Sequence, residues 1–294
     1  MKKRFIRYCI YIGAKWFSYL VLLIPYALAV KCGGILGRLV YCLLPSARYK
    51  AVQNLKPAFP DKSDKEINKI TKDMFSHLGK NLFEFLSFPK LTKRKLEKLV
   101  TVTGSEYLEE AIKNGRGIIF CTGHIGNWEI FAAYYAMLNY PVNVLAKRVY
   151  DDRLNDMLSA YRMSKGVKPI LRSEGTKDLI RALKNNEFLG LLIDQDTNVK
   201  NCFVKFFNRD AATPVGAAAL ALKYNTPVLV AYIHRTLNNH HKITVLPVTL
   251  DKTGDTQKDI EYNTGMLTKM LEDAIRKEPS QWVWIHERWK TKKR

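Results

Sequence analysis

Residues 1–60 contain no aspartate or glutamate, although they carry ten lysines and arginines. The formal net charge of the 294-residue chain is +21, so nearly half of the excess positive charge sits in its first fifth. There it is interleaved with the most apolar sequence of the protein, including Trp16-Phe17-Ser18-Tyr19-Leu20-Val21-Leu22-Leu23-Ile24. Basic charge beside apolar and aromatic side chains suits an anionic lipid surface. A nucleic-acid binder is also basic but rarely carries such a run, so no nucleic-acid partner is expected. Paired cysteines are missing too. The five present (Cys9, Cys32, Cys42, Cys121, Cys202) are odd in number and include no Cys-x-x-Cys. That excludes a disulfide framework and a cysteine zinc site, and it implies a reducing compartment. The six histidines show no metal-ligand spacing, so no metal is expected. Without Gly-x-Ser-x-Gly a serine-nucleophile hydrolase is disfavoured, and without a Walker loop or Gly-x-Gly-x-x-Gly the usual nucleotide sites are too.

A long uninterrupted hydrophobic run is also lacking. The uncharged window Trp16–Val30 spans fifteen residues and contains Pro25. As a helix it reaches about 22 Å, short of a hydrocarbon core of about 30 Å. Cys32-Gly33-Gly34 is expected to break the pattern before a second apolar stretch, Ile35–Leu44. Two apolar segments around a glycine break fit an interfacial or re-entrant anchor as readily as a full span. Ala27-Leu28-Ala29 imitates a signal-peptidase site, but the charged leader is too long and Lys15 interrupts the apolar region. Residues 1–45 therefore read as a membrane anchor and 46–294 as one domain.

Within that domain, Ser46–Ala58 reads as a basic helix. Ser63 and Glu66 form a capping box that opens a helix over Asp64–Leu86. From Leu99 onward short apolar strands alternate with helices. Strands are expected near Val100, Ile118, Val142, Pro169, Phe188, Pro227 and His241. Helices are expected over Glu106–Lys113, from Asn127, over Asp151–Met163, Gly175–Lys184 and Val215–Tyr224, and from Gln257 to Lys277. The alternation predicts an α/β fold with a mostly parallel sheet flanked by helices, behind an N-terminal apolar helical anchor. Trp289–Arg294 reads as a basic tail.

The densest chemistry follows the Ile118 strand, in Gly123-His124-Ile125-Gly126-Asn127-Trp128-Glu129. It places a histidine and a carboxylate at a strand-to-helix turn, where open α/β sheets build their sites. Histidine is the side chain best suited to take a proton near neutral pH. Positions five apart on one helix lie about 140° apart, so His124 and Glu129 can meet only if His124 lies in the turn. The simpler reading makes Asn127 an N-cap and Glu129 a partner of the helix dipole. A second strand, Phe188–Ile193, ends in Asp194-Gln195-Asp196, and strand ends of this kind bring those carboxylates toward His124.

Taken with Phe206-Phe207-Asn208-Arg209, Ala212-Thr213-Pro214-Val215-Gly216 and Gln281-Trp282-Val283-Trp284-Ile285-His286-Glu287-Arg288-Trp289-Lys290, these segments resemble the lipid A biosynthesis late (lauroyl/myristoyl) acyltransferase family. Arg48–Pro60, with Asn54-Leu55 and Phe59-Pro60, matches the family's helix after the anchor. The chain departs from the family at Asn208, where glycine is common, and at Glu287, where a basic residue is common. The resemblance implies transfer of a fatty acyl chain to a hydroxyl of a membrane glycolipid at the cytoplasmic face of a bacterial inner membrane. Acyl carrier protein or coenzyme A thioester would be the donor, with no resident cofactor. It implies His124 and Glu129 as the catalytic pair, with Arg162, Asp194, Asp196, Arg209 and Asn127 binding substrate, stabilising an oxyanion or orienting. The same chemistry on a phosphatidylinositol mannoside or another glycolipid is the nearest rival. A non-catalytic basic membrane-surface or nucleic-acid-binding protein is the rival of a different class. Physically, a neutral imidazole can take the acceptor's proton while Glu129 or Asp194 stabilises the imidazolium. Amides near Gly126 or the Arg162 guanidinium would serve the oxyanion.

Overall fold

The structure, a computed structural model, describes residues 2–172 and 175–293, the side chains of Lys2 and Lys3 excepted. Arg294 of the expected basic tail lies outside the described residues. The chain opens with four helices: α1 (Lys2–Leu23), α2 (Tyr26–Leu43), α3 (Pro45–Ala58) and α4 (Asp64–Leu86). The α/β part follows as α5 (Lys93–Leu99), β1 (Val100–Thr103), α6 (Ser105–Lys113), β2 (Ile118–Thr122), α7 (Trp128–Met137), β3 (Val142–Ala146), α8 (Asp152–Met163), β4 (Lys168–Leu171), α9 (Thr176–Lys184) and β5 (Phe188–Leu192). The chain closes with β6 (Asn201–Phe206), β7 (Arg209–Pro214), α10 (Gly216–Tyr224), β8 (Val228–Arg235), β9 (His241–Pro247) and α11 (Thr256–Lys277).

Seven strands form one sheet in the order β1-β9-β8-β2-β5-β3-β4. The five from β8 to β4 are mutually parallel, while β9 runs antiparallel to β8 and carries β1 parallel to itself. The sheet is thus mainly parallel, as the alternation predicts. Central β2 is buried at every position, the apolar run a strand covered on both faces requires. Ile118 and Phe120 pack with Ile130, Phe131 and Ala133 of α7, while Ile119 and Cys121 face Ala217 of α10 and Leu267 of α11. Helix layers cover both faces.

Two expectations change. The glycines at 33 and 34 do not break the anchor, because α2 runs through them and the break falls at Ile24-Pro25. The reason is tertiary. Gly33 and Gly37 lie against α4 so closely that a Cβ at Gly33 would stand 2.5 Å from the Gly79 carbonyl oxygen, and one at Gly37 would collide with the Phe75 carbonyl. Ser76 Oγ also donates to the Gly34 carbonyl at 3.2 Å. Glycine's helix penalty is offset by backbone approach that no larger residue allows. Second, β6 and β7 form an antiparallel hairpin not expected from sequence, turning at Phe207 and Asn208, both at positive φ (50° and 59°). That is the pattern of a tight two-residue turn. Ala212-Thr213-Pro214 belongs to β7, and the small-residue helix starts at Gly216.

The two leading helices differ in what covers them. Along α1 large apolar side chains lie open, with Phe5 at 68%, Trp16 at 66% and Leu23 at 80% exposure. Tyr26, Ala29 and Val30 of α2 are buried against the domain. Both helices are long and apolar enough to cross a membrane by length and composition. A chain beginning at Ser46 would therefore lose part of the domain's packing, and one beginning at Pro25 would lose the contacts that Phe17 and Val21 make with Phe83 and Leu86 of α4.

Gly37→Val tests this close packing. Its branched Cβ has to displace the Phe75 backbone of α4. The thermal unfolding midpoint in detergent should fall by the equivalent of about 1–3 kcal/mol, the usual cost of overpacking. Gly13→Ala on α1, where a Cβ meets nothing within 4 Å, should leave it unchanged or raised.

Candidate active site

The parallel register of β2 and β5 builds the site. Thr122 stands opposite Leu192, and the Ile193 amide donates to the Thr122 carbonyl at 3.1 Å. His124 and Asp194 each follow two residues beyond that pair, so adjacent strand ends deliver them to one place. Asp194 Oδ1 lies 2.9 Å from His124 Nδ1, and Asp194 Oδ2 accepts the His124 backbone amide at 2.6 Å. The same Oδ2 accepts the Trp282 indole N–H at 2.7 Å. Asp194 is buried, while the His124 side chain is 23% exposed. Burial alone would raise the Asp194 carboxyl, but the nearby His124 and the hydrogen bonds from His124 and Trp282 hold it below the usual carboxylate range. An ionised Asp194 accepts from Nδ1–H, which fixes the tautomer and leaves Nε2 as the free nitrogen.

The turn between His124 and α7 is held as firmly. Gly126 adopts φ +57°, and a Cβ there would collide with the Ile233 carbonyl. Its amide donates to the Gln281 carbonyl at 2.8 Å. Ile125 forms an antiparallel bridge with Trp282, so the C-terminal segment is pinned across the turn. Asn127 caps α7, its Oδ1 accepting from the Ile130 amide at 3.2 Å. Of the turn amides near Gly126 expected to serve an oxyanion, those of Gly126 and His124 are already occupied within the protein.

Glu129 does not meet the imidazole. Arg162 of α8 grips it with both donors, Nε to Oε2 at 2.9 Å and Nη2 to Oε1 at 2.6 Å. Burial works against the charge of Arg162, but Glu129 raises its affinity for the proton above the ordinary guanidinium value. The carboxylate that contacts His124 is therefore Asp194, and Glu129 stands in the first turn of α7 as the partner of a cation. Glu129 and Arg162 still line the same cleft as His124.

That cleft holds about 820 Å³. Its inner wall is apolar, built from Phe120, Phe131, Ala132, Tyr135, Val142 and Val144, with Gly190 leaving room at its floor. Its rim carries Lys147, Arg148, Arg162, Arg172 and Lys290. Asp196 lines it and accepts the Thr291 amide at 2.9 Å. His286 also lines it, an imidazole inside the Gln281–Lys290 motif that its spacing does not single out as a site residue. Burial, together with the charges of His124 and Lys290, pushes His286 below its usual value. Arg209 is not among the cleft's lining residues. It sits on the β6–β7 hairpin with its guanidinium 4.3 Å from the Trp289 ring centroid. Among the described residues no cluster of three or more metal-binding side chains occurs.

Because Asp194 loses its proton more readily folded than unfolded, its contribution to stability is complete above its ordinary value of 3.8. It is lost as the pH falls through the lower folded value. The gap in unfolding free energy between wild type and Asp194→Asn should thus be level from about pH 5 to 7 and shrink in more acid solution. Denaturant titrations at several pH values measure it.

Comparison with known proteins agrees with this architecture. The chain is 27% identical over 285 residues to a lipid A biosynthesis lauroyltransferase of Escherichia coli (strain K12), covering 96% of this chain and 90% of that protein. It is 23% identical over 284 residues to a lipid A biosynthesis palmitoleoyltransferase of the same strain, covering 94% and 91%. It is 24% identical over 217 residues to a phosphatidylinositol mannoside acyltransferase of Mycobacterium tuberculosis (strain ATCC 25618 / H37Rv), covering 72% and 67%. The family model described as bacterial lipid A biosynthesis acyltransferase matches residues 2–291, and the chain belongs to that family.

Proposed function

We propose that this protein transfers a fatty acyl chain from an acyl carrier protein or coenzyme A thioester to a hydroxyl of a lipid A precursor or similar membrane glycolipid. The observation that carries this reading is the His124–Asp194 pair opening into a cleft with an apolar interior and a basic rim. The acyl chain lies along Phe120, Phe131, Ala132, Tyr135, Val142 and Val144, where each buried methylene contributes about 0.8 kcal/mol. The rim lysines and arginines suit phosphate groups on the acceptor and an acidic carrier protein.

In the transfer, Nε2 of His124 takes the acceptor hydroxyl's proton as its oxygen attacks the thioester carbonyl carbon. A carbon–oxygen bond forms, the carbon–sulfur bond breaks, and the thiolate leaves with the proton returned from the imidazolium. Asp194, ionised and buried, stabilises the imidazolium and keeps the ring oriented. No acyl-enzyme is required, because a thiolate leaves readily. Cys121, the thiol nearest this turn in sequence, is buried, and burial pushes its thiol far above the usual range. The Arg162 guanidinium, held by Glu129, offers positive charge to the developing oxyanion or to an acceptor phosphate. Glu129 thereby acts on the reaction by holding Arg162. The exposed apolar side chains of α1 and the acid-free basic leader support a reading of this chemistry at the bilayer surface, and a thioester donor favours its cytoplasmic side.

His124→Ala should lower kcat by about 10²-fold or more, and retention of more than about a tenth of wild-type turnover excludes a general base at this position. Asp194→Asn should approach that loss, because its amide can present the wrong partner to Nδ1. Glu129→Gln should be milder and share its effect with Arg162→Gln. Losses from the two substitutions that simply add would separate their roles. Mass spectrometry of membrane glycolipids with and without the protein should show a shift of one acyl mass. That shift identifies the chain and separates a lipid A precursor from a phosphatidylinositol mannoside.

A further inference from the structure

Behind the turn that carries His124, four side chains converge on one carboxylate. Glu84 of α4 is fully buried. Arg235, at the end of β8, donates to both of its oxygens, Nη1 to Oε1 at 2.7 Å and Nη2 to Oε2 at 2.6 Å. His241 Nε2 lies 3.1 Å from Oε1, and the Tyr26 hydroxyl donates to Oε1 at 3.2 Å. Asn127 Nδ2 donates to Oε2 at 2.6 Å. Burial would raise this carboxyl, but Arg235 and His241 outweigh it and keep Glu84 ionised. A buried charge is tolerable only with this many partners, and removing one member of such a set is costly.

Two of the partners continue to the turn that carries His124. Asn127 is the N-cap of α7, so its side chain joins Glu84 to the Ile130 amide. Arg235 Nη2 also donates to Asn81 Oδ1 at 2.8 Å, and Asn81 Nδ2 donates to the Gly126 carbonyl at 2.5 Å. The turn is therefore gripped at Gly126 and at Asn127, directly after His124. On its other side the cluster reaches the anchor. Tyr26 begins α2 just past the Ile24-Pro25 break, where Lys90 Nζ donates to the Ile24 carbonyl at 2.6 Å.

We propose that Glu84 is a positioning residue for acyl transfer: through Asn127, Arg235 and Asn81 it holds the 123–127 turn so that the His124 imidazole stays on Asp194, and through Tyr26 it ties that turn to the start of the second anchor helix. This rests on reading His124 as the general base. Glu84 touches neither His124 nor the cleft and acts only through its neighbours. The geometry of the site and the seating of α2 on the domain thus share one support. A purely structural role would predict lost stability with unaltered chemistry in the molecules that remain folded.

The experiment uses the full-length protein in vesicles or detergent. Glu84→Gln is the direct variant, and Asn81→Leu is the second, since it keeps the size, removes the donor to Gly126 and leaves the buried carboxylate paired. Three quantities are read: kcat and KM with a bilayer acceptor, the unfolding midpoint, and the downfield proton resonance of His124 Nδ1–H, assigned by its loss in His124→Ala. For Asn81→Leu the expected result is a fall in kcat of about tenfold, a KM within about twofold of wild type, a nearly unchanged midpoint and a broadened or lost imidazole resonance. Tyr26→Phe should show the same pattern more weakly, with a kcat fall of about two- to threefold. An intact resonance with kcat per folded molecule unchanged in Asn81→Leu overturns the proposal. A lost resonance with kcat unchanged upholds the positioning of the turn and overturns the general-base reading of His124 instead, so the two failures are distinct.

Discussion

Everything near the cleft depends on keeping one carboxylate ionised out of water. Asp194 is buried, and desolvation penalises its charge by several kcal/mol unless its oxygens are hydrogen-bonded. Three donors do this: the ring and the backbone amide of His124, and the indole of Trp282. Each binds a different part of the chain to the end of β5. The two His124 bonds lock the end of β2 to its neighbour strand. The indole bond brings in the C-terminal segment, which the Ile125–Trp282 bridge and the Gly126–Gln281 hydrogen bond then lay across the turn. A requirement of electrostatics thus becomes a requirement on topology. Gly123 belongs to the same constraint, because a Cβ there would stand 3.0 Å from the Asp194 carboxyl.

With Asp194 serving the imidazole, Glu129 is free for another task. Its bidentate pair with Arg162 joins α7 to α8 and keeps a guanidinium, always charged, at the cleft that His124 also lines. Family resemblance groups His124 with Glu129, and the structure gives that grouping a physical content other than direct contact. One carboxylate holds the imidazole, and the other holds a cation. Around them the cleft divides by polarity, apolar within and basic at the rim.

The helices before the domain divide in a comparable way. Along α1 its aromatic and aliphatic side chains lie open, which only a lipid environment or a partner relieves. Helix α2 is equally apolar but is joined to α4 by glycine contacts backbone to backbone, and it ends its buried face at Tyr26 on the Glu84 cluster. Helix α2 therefore links the exposed helix α1 to the part of the chain that carries the cleft.

Much of this was legible in the residues. The all-buried strand Ile118–Thr122, the capping box at Ser63 and Glu66, and the N-cap at Asn127 are local patterns, and each has a local cause that survives folding. The turn with His124 and the strand ending at Asp194 were both visible as separate features. What sequence could not decide was which acid meets the histidine. Glu129 is five residues away and Asp194 is seventy away, and only the in-register pairing of Thr122 with Leu192 makes the distant one the neighbour. The same holds for Cys32-Gly33-Gly34. Read alone, glycine breaks a helix; packed on Gly79 and Ser76 of α4 it is what lets the helix approach. The β6–β7 hairpin is not legible in the sequence because Phe207-Asn208 lacks the usual glycine of a tight turn. The Glu84 cluster left no spacing to find, since its members at positions 26, 84, 127, 235 and 241 come from five different elements. Local chemistry set the elements and the candidate side chains. Strand register, backbone approach and the cost of burying charge, all properties of the assembled chain, decided which of them act together.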